Sequence, residues 1–458
     1  MSSLILIGKL PTLESYVVFG AFLKSGVRYP APTCHPHTRQ EAQAVVKNWI
    51  WRRGEESEKD IMWMSGPPGV GKSATIQTVC EVLDVDVKSR SCCGIVFEKR
   101  YGPCAFTSRR NILLTFFRYI DASYFFARGM GDQEKAASFP ATIAYQLAHG
   151  SSSFSRSIKK AIAANPSIFE ESWPSQFRQL VLKPATERWL FLGPITIVID
   201  GLDECDNVSD QVQLLELILE AVATKRMRFF IASRPEEQIR SFFSKMHVSQ
   251  HTCHIRLDGE TFQTRREIEL FLRAKFARIR QRSGACLPLK NGEDWPGDVV
   301  IRQIADESDS LFMYPELAVG FIDLPGFSLD EQLHTLLSLP AGSVFSKIDA
   351  LYRAILSCRP SSELRRDDNS LVDYRVVMMG ILRIITTEPN GPFSPVRIAQ
   401  ILREEVEIVQ SIIQGPIRLL CIGVSADPHF PIALRHKSIR DYLLDNRRSR
   451  KFFISTDL

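Results

Sequence analysis

The sequence contains no apolar run long enough to cross a lipid bilayer. Its fairly apolar N-terminus, residues 1–26, is interrupted by charged residues and by Pro11, and it lacks the basic start and small-residue cleavage site of a signal peptide. The ten cysteines include no paired C-x-x-C motifs, so neither a zinc site nor a disulfide framework is predicted. We therefore expect a cytoplasmic protein with no membrane span.

A strong excess of one charge is also absent. The formal net charge is +5 over 458 residues, and the basic residues are not concentrated in one tail or on one predicted face. This charge permits contact with nucleic acid without predicting it. The composition, 45% hydrophobic and 24% charged, is typical of a globular protein with room for about three domains of roughly 150 residues each.

One phosphate-binding motif is complete. The apolar segment 61–64 predicts a strand, residues 66–73 fit G-x-x-x-x-G-K-[ST] at every fixed position, and residues 74–83 have a helical pattern. In such a loop, backbone N–H groups surround phosphate oxygens, the lysine neutralises the terminal phosphates and the hydroxyl binds Mg²⁺. The predicted nucleotide-binding residues are Gly66, Pro67, Pro68, Gly69, Val70, Gly71, Lys72, Ser73 and Ala74, with Ser73 also a ligand of Mg²⁺.

Two further strands are predicted to end beside this loop. Residues 194–200 form a β-branched apolar run typical of a central parallel strand. At its end, Asp200 is predicted to hold Mg²⁺, and Asp203 or Glu204 to orient and deprotonate the attacking water. Residues 228–233 precede Arg234, which is predicted to reach a terminal phosphate. The alternative is that these acids are ordinary turn residues and that Arg234 is a surface residue.

These segments carry a family resemblance. GPPGVGKS, IVIDGLDECD and FFIASRPE, with RYPAPTCHPHTR upstream and RHKSIRDYLLD near the end, resemble the NACHT branch of the STAND nucleoside triphosphatases, particularly the NACHT families of mushroom-forming fungi. The resemblance implies an α/β fold: a P-loop NTPase parallel sheet of the ASCE type with order 5-1-4-3-2, then a small helical domain and a winged-helix domain. The implied boundaries are an N-terminal extension at 1–27, a NACHT nucleotide-binding domain at 28–258, the helical domain at 259–340 and the winged helix at 341–458.

The same resemblance implies a signalling switch that is closed with nucleoside diphosphate and open with triphosphate. Slow hydrolysis of ATP or GTP with Mg²⁺ would reset it, and protein partners or self-oligomerisation would accompany activation, as in fungal non-self recognition. His436 matches the family histidine that reaches the diphosphate and locks the closed state. No base-reading motif such as N-K-x-D distinguishes ATP from GTP.

Two segments depart from the family pattern. Residues 82–121 replace a short connection and have no clear period, so we expect translated intron or a structureless excursion. Within a helical pattern over 301–322, Asp309 and Ser310 replace glycines that precede a helix near the nucleotide, and we expect them to cap that helix.

The predicted winged helix raises the question of DNA. Ser394 is expected to cap a helix that begins at Pro395, a second helix spans 406–420, and short strands follow at 421–424 and 432–434. Acidic residues near the second helix, Glu404, Glu405 and Glu407, would repel phosphates, so nucleic acid is an unexpected partner. Two alternatives to the switch stay open: a non-hydrolysing nucleotide-bound scaffold or truncated regulator, and a DNA-binding regulator that acts through the winged helix.

Overall fold

A parallel sheet forms the first half of the computed structural model. The structure describes residues 11–28, 31–92, 119–187, 193–258, 264–283, 294–359, 364–367, 369–387 and 393–455. Within these ranges, one sheet contains β1 (Ile61–Ser65), β2 (Ala122–Phe125), β3 (Ile195–Asp200), β4 (Met227–Ser233) and β5 (Thr252–Arg256). The strands are parallel and their order is β2-β3-β4-β1-β5, which confirms the predicted order 5-1-4-3-2.

The central strands are apolar because helices cover both faces of the sheet. All residues of β1, β3 and β4 are buried, as expected for parallel strands without a solvated face. Side chains alternate between the faces, so Met62 and Met64 enter one hydrophobic core while Ile61 and Trp63 enter the other. The edge strand β5 instead exposes His254 and Arg256.

Helices surround the sheet in the first half of the chain. They are α1 (Pro11–Glu14), α2 (Gln40–Ile50), α3 (Lys72–Cys92), α4 (Phe139–Gly150), α5 (Ser152–Ala164), α6 (Trp173–Phe177), α7 (Lys183–Thr186), α8 (Val208–Ala223), α9 (Glu237–Ser244) and α10 (Met246–Ser249). A π-helical turn, Arg178–Leu182, joins α6 to α7. In the described part of the chain, no helix is both long and apolar enough to span a membrane.

The predicted excursion at 82–121 is partly wrong. Residues 82–92 continue α3. A helix that has already nucleated at Lys72 extends at little cost per residue, so the lack of a clear period did not end it. Residues 93–118 lie outside the described residues, and the origin of the segment stays a prediction.

A group of helices follows the sheet. It contains α11 (Thr264–Ser283), α12 (Asp298–Glu307), α13 (Met313–Ile322) and α14 (Leu329–Leu337). The predicted continuous helix over 301–322 is wrong, because Asp309 (φ 43°) and Ser310 (φ 66°) take left-handed conformations between α12 and α13. The predicted capping is also wrong, since Phe312 is the N-cap of α13 and its side chain makes no capping bond. Left-handed backbone favours glycine, which explains why glycines are expected at these positions.

The last described part combines helices with a small antiparallel pair of strands. It contains α15 (Val344–Ser357), α16 (Tyr374–Thr387), α17 (Pro395–Leu402), α18 (Val406–Gln414), β6 (Cys421–Ile422), β7 (Ala433–Leu434), α19 (Lys437–Leu443) and α20 (Asn446–Ser449). Ser394 accepts a hydrogen bond from the Arg397 amide at 3.3 Å, which confirms the predicted cap. The helix predicted over 406–420 ends at Gln414, because Gly415 and Pro416 interrupt it before a 3₁₀ turn.

One hydrophobic core connects the sheet to these later helices. It extends from Met64 in β1 through Met313 in α13 and Leu351 in α15 to Val409 in α18 and Tyr442 in α19. The C-terminal helices are therefore packed onto the nucleotide-loop side of the molecule, and α19 lies against the carboxyl edge of the sheet.

Candidate functional site

The carboxyl ends of β1, β3 and β4 meet at one edge of the sheet. Ser65 pairs with Ser233, and Asp200 pairs with Ala232, so the residues that follow these strands emerge together. A cavity of about 1270 Å³ opens at this edge. Its lining includes most of the predicted site residues: Pro68, Gly69, Gly71, Lys72, Ser73, Ala74, Asp200, Asp203, Glu204, Arg234 and His436. Open α/β sheets bind ligands in this position.

Three predicted loop residues do not line the cavity but support it. The carbonyl oxygens of Gly66 and Pro67 accept hydrogen bonds from Lys72 Nζ at 2.6 and 2.9 Å. Val70 is fully buried under the loop, and its carbonyl accepts a hydrogen bond from Arg39 at 2.7 Å. These three residues therefore stabilise the conformation of the loop and do not face the cavity.

Glycine is required at two positions of the loop. Gly69 (φ 79°) and Gly71 (φ 98°) have left-handed backbone, and a Cβ atom on Gly69 would lie 2.5 Å from the Cβ of Met313. The loop then runs directly into the start of α3 at Lys72. The unpaired N–H groups and positive end of that helix face the cavity, which favours an anion there.

Lys72 lies among the charged groups of the site. Burial lowers the pKa of its ammonium to about 8, Asp203 opposes this shift and Arg234 adds to it. The ammonium is thus mostly protonated at neutral pH, close to the carboxyl groups of Asp203, Asp200 and Glu204 and to the Arg234 guanidinium. A cation in this position can neutralise terminal phosphate oxygens.

Ser73 and Asp200 form a pair of oxygen donors. Burial raises the pKa of Asp200, while a hydrogen bond with the Ser73 side chain and the charge of Arg28 oppose the shift. No cluster of three or more His, Cys, Asp or Glu side chains suited to a metal occurs among the described residues. Mg²⁺ at phosphate sites needs only one or two protein oxygens, because phosphates and waters complete its octahedron, so this pair fits that ion.

Asp203 is the centre of a buried charge cluster. Its carboxylate accepts a hydrogen bond from the Arg234 amide at 2.9 Å and lies 3.3 Å from Arg234 Nε and 3.6 Å from Lys437 Nζ. Lys437 also lies 3.6 Å from Glu236, and Arg234 lies 3.3 Å from Asp441. Lys437 and Asp441 belong to α19, so the last helices contact both the predicted catalytic acid and the predicted phosphate-reporting arginine.

Glu204 lines the cavity next to Asp203. Its Oε2 accepts a hydrogen bond from the Arg128 amide at 3.2 Å. Burial raises the pKa of Glu204 to about 7, the neighbouring Asp203 charge adds to the shift and Lys437 opposes it. A carboxyl group with a pKa near the working pH is suited to proton transfer.

His436 caps α19 with its own ring. Its Nδ1 accepts a hydrogen bond from the Ser438 amide at 3.2 Å and lies 2.7 Å from Ser438 Oγ. Burial lowers the pKa of His436 to about 3, and the charges of Arg234 and Lys72 contribute to this shift. The imidazole is therefore neutral at physiological pH. Of the flanking basic residues, Lys437 pairs with Asp203, and Arg435 lies 3.7 Å from Glu316.

Several residues of the site were not predicted. Arg39, which is 2% exposed, donates to the Thr264 hydroxyl at 2.8 Å and to the Val70 carbonyl, so it connects the loop to α11. Arg28 stacks on Phe125 beside Asp200, with its guanidinium carbon 3.4 Å from the centroid of the aromatic ring. Their partners lie up to 225 residues away, and no local pattern distinguishes such arginines from surface ones. The only sequence signal for Arg28 and Arg39 was that both lie within the motif RYPAPTCHPHTR.

Comparisons with known proteins support the fold. A family model described as Nephrocystin 3, N-terminal, matches residues 42–234, which contain the phosphate loop, the acids after β3 and Arg234. This match covers less than half of the chain. No match was found among curated proteins.

Two solved structures show weak similarity. PCH-2 from C. elegans shares 10% identity and a TM-score of 0.33, with 75% of this chain and 72% of that chain covered. The ORC1 protein of Aeropyrum pernix, solved in complex with DNA, shares 12% identity and a TM-score of 0.35, with coverage of 93% and 97%. At these TM-scores the similarities say nothing about activity or partners. The sheet order, the phosphate loop and the family match together define a P-loop NTPase-like fold.

Proposed function

We propose that this chain is a nucleotide-binding signalling switch of the NACHT/STAND type. It binds ATP or GTP with Mg²⁺, hydrolyses the triphosphate slowly and alternates between a closed diphosphate state and an open triphosphate state. The observation that carries the proposal is the contact of α19 with Asp203 and Arg234. The groups predicted to act on a terminal phosphate are the same groups that hold the C-terminal helices.

Each site residue has a role in this proposal. The loop of residues 66–74 surrounds the phosphates, with Lys72 neutralising the terminal groups. Ser73 and Asp200 would hold Mg²⁺, which supplies charge neutralisation between phosphate oxygens when bound. Asp203 or Glu204 orients and deprotonates the attacking water. Arg234 contacts the terminal phosphate, and His436 donates to the diphosphate.

The electrostatics of the site support slow turnover. Asp203 is engaged by the cations of Arg234 and Lys437, so its oxygens are not free to accept a proton from water. Glu204, with a pKa raised to about 7, is deprotonated in only part of the population at neutral pH. Helix α19 therefore reduces the availability of one of the two candidate bases.

The architecture agrees with a switch built from three parts. We assign residues 28–258 to the nucleotide-binding domain, 259–340 to the small helical domain and 341–458 to a winged-helix domain, with 1–27 as an extension. In the last domain, α17 and α18 form the helix-turn-helix and β6 with β7 form the wing. Activation would release this domain for protein partners or self-association, in a role such as fungal non-self recognition.

Identification of the co-purifying nucleotide tests the proposal. The full chain is purified and denatured, the released nucleotide is identified by chromatography, and phosphate release is measured at saturating Mg-ATP and Mg-GTP. Bound ADP or GDP that is absent from Lys72→Ala, together with slow phosphate release, supports the switch. Bound nucleotide without any turnover above the Lys72→Ala blank favours the scaffold. A folded chain that binds neither nucleotide contradicts both.

The described contacts of the acidic residues near α18 oppose a DNA-binding role. Glu404 forms a bidentate pair with Arg366 at 2.7 and 3.0 Å, and Glu405 accepts a hydrogen bond from the Asp367 amide at 2.9 Å. The segment that precedes α18 is thus engaged within the domain, and Glu407, the one acid of α18, would repel a phosphate backbone.

A further inference from the structure

A chain of hydroxyl groups leads from the interior to His436. Tyr352, fully buried on α15, places its hydroxyl 2.8 Å from Ser438 Oγ, and Ser438 Oγ lies 2.7 Å from His436 Nδ1. Ser438 is 7% exposed and also contacts the Met313 sulfur at 3.4 Å. Three polar side chains from two elements are therefore arranged in a line that ends at the ring.

The backbone amide of Ser438 shows in which direction the hydrogen bonds of this chain run. An amide N–H can only donate, and it points at Nδ1 from 3.2 Å, so Nδ1 must carry a lone pair rather than a proton. Because the ring is neutral, its single proton then resides on Nε2. Ser438 Oγ consequently donates to Nδ1, and the Tyr352 hydroxyl donates to Ser438 Oγ.

We infer that Tyr352 and Ser438 are positioning residues that hold His436 in the Nε2–H tautomer, as an uncharged hydrogen-bond donor to a nucleoside diphosphate. This inference rests on the proposed function, which assigns the phosphate contact to His436. The other tautomer would place a lone pair on Nε2, and that lone pair would repel a phosphate oxygen. The hydrogen-bonded chain from Tyr352 through Ser438 to His436, called the relay below, therefore decides whether the ring attracts or repels the diphosphate.

The surrounding groups explain why a neutral donor is needed here. Burial keeps the pKa of the ring low, and Arg234 and Lys72, which already supply positive charge near the ring, lower it as well. A second observation supports a specific function for Ser438: its hydroxyl links α15 to α19 and contacts Met313, whose amide donates to the Gly69 carbonyl at 3.1 Å. Rotation or undocking of α19 would break the relay and release the tautomer together with the phosphate contact.

Nitrogen NMR of the ring tests the tautomer directly. The full chain is labelled with ¹⁵N-histidine, and the His436 signals are assigned by their loss in His436→Gln. We expect a pyridine-type Nδ1 and a protonated Nε2 in the wild type with ADP or GDP bound. Ser438→Ala keeps the backbone amide 3.2 Å from Nδ1 but removes the closer hydroxyl donor at 2.7 Å, so it should shift these signals toward a tautomer mixture. Ser438→Thr, which keeps the hydroxyl, should retain the wild-type signals. A wild type with protonated Nδ1, or Ser438→Ala signals identical to those of the wild type, overturns the inference.

Diphosphate affinity provides the second readout. Loss of a neutral hydrogen bond corresponds to an increase of about 2- to 10-fold in Kd for ADP or GDP. We expect Ser438→Ala to reach the upper part of this range and Tyr352→Phe, which keeps the ring and its packing on Tyr442, the lower part. In a His436→Ala background, neither substitution should weaken binding further. Equal losses in both backgrounds would show that Ser438 and Tyr352 act through packing, contrary to the inference.

The two readouts separate this inference from the proposed function. If His436→Ala leaves diphosphate affinity unchanged, the phosphate contact of His436 is wrong, whatever the tautomer. If His436→Ala weakens binding while Ser438→Ala and Tyr352→Phe change neither the tautomer nor the affinity, the phosphate contact stands and the relay is wrong.

Discussion

The phosphate loop and α19 line the same cavity, yet different forces hold them in place. The loop depends on backbone conformation, on the buried strand β1 and on the carbonyl contacts of Lys72 and Arg39. Helix α19 has a buried apolar face that contains Ile439 and Tyr442, but its cavity-facing contacts are ion pairs to Asp203, Glu236 and Arg234. A charged ligand would therefore leave the loop unchanged while it competes with α19 for the same charged groups.

The largest expected effect is on the loop side of this comparison. Lys72→Ala removes the buried ammonium from the phosphate position, and a charged hydrogen bond is worth about 1.5–3 kcal/mol. We expect the affinity for ADP and GDP to fall by about 10- to 150-fold, measured by titration calorimetry. Lys160→Ala, an exposed lysine on α5, serves as the matched control and should bind like the wild type. Unchanged affinity in Lys72→Ala would contradict the assignment of the loop.

The next effect is on the α19 side. Lys437→Met keeps the length of the side chain but removes the cation that lies 3.6 Å from both Asp203 and Glu236. We expect amide exchange of residues 437–443 to accelerate by about tenfold, because about 1.4 kcal/mol of docking energy is lost. Phosphate release should increase as Asp203 becomes available. The exposed Lys451→Met is the control, and equal exchange in both variants would show that α19 is held by packing alone.

These two regions also differ in how far they could be predicted. The loop and the Asp200 strand follow from local signals: a complete motif, a β-branched run and acids at the strand end. The sheet order was implied by the family resemblance. The charge cluster does not, because Lys437 and Asp203 are separated by 234 residues and no local pattern pairs them. The resemblance pointed to His436, but its ring orientation depends on Tyr352, which the sequence marks only as one apolar position of a helix. Left-handed Asp309 and Ser310 were missed because residue type alone favoured capping.

A smaller effect concerns the pH dependence of turnover. Glu204 must lose its proton to act as a base, and its pKa is raised to about 7. We expect phosphate release to rise several-fold between about pH 6 and pH 8, with a midpoint near pH 7, because the deprotonated fraction increases over this interval. Glu204→Gln should be slow and independent of pH in this range. A wild-type rate that is flat from pH 6 to 8, with turnover above the Lys72→Ala blank, would exclude Glu204 as the base.

The smallest effect is expected at the exposed end of the charge cluster. Asp441 lies 3.3 Å from Arg234, and its side chain is 40% exposed, so solvent screens the pair. We expect Asp441→Asn to weaken α19 docking by about 0.2–1 kcal/mol, an effect that disappears at high salt, whereas the effect of Lys437→Met should persist. Amide exchange of residues 437–443 at low and high salt measures both. In a double-mutant cycle with Arg234→Gln, the Asp441→Asn effect should vanish, because its partner is already absent. The contrary result is that Asp441→Asn changes amide exchange as much as Lys437→Met does, and equally at high salt. That result would show that the buried cluster around Asp203 does not hold α19, and that the Arg234–Asp441 pair at the rim of the cavity couples α19 to the nucleotide.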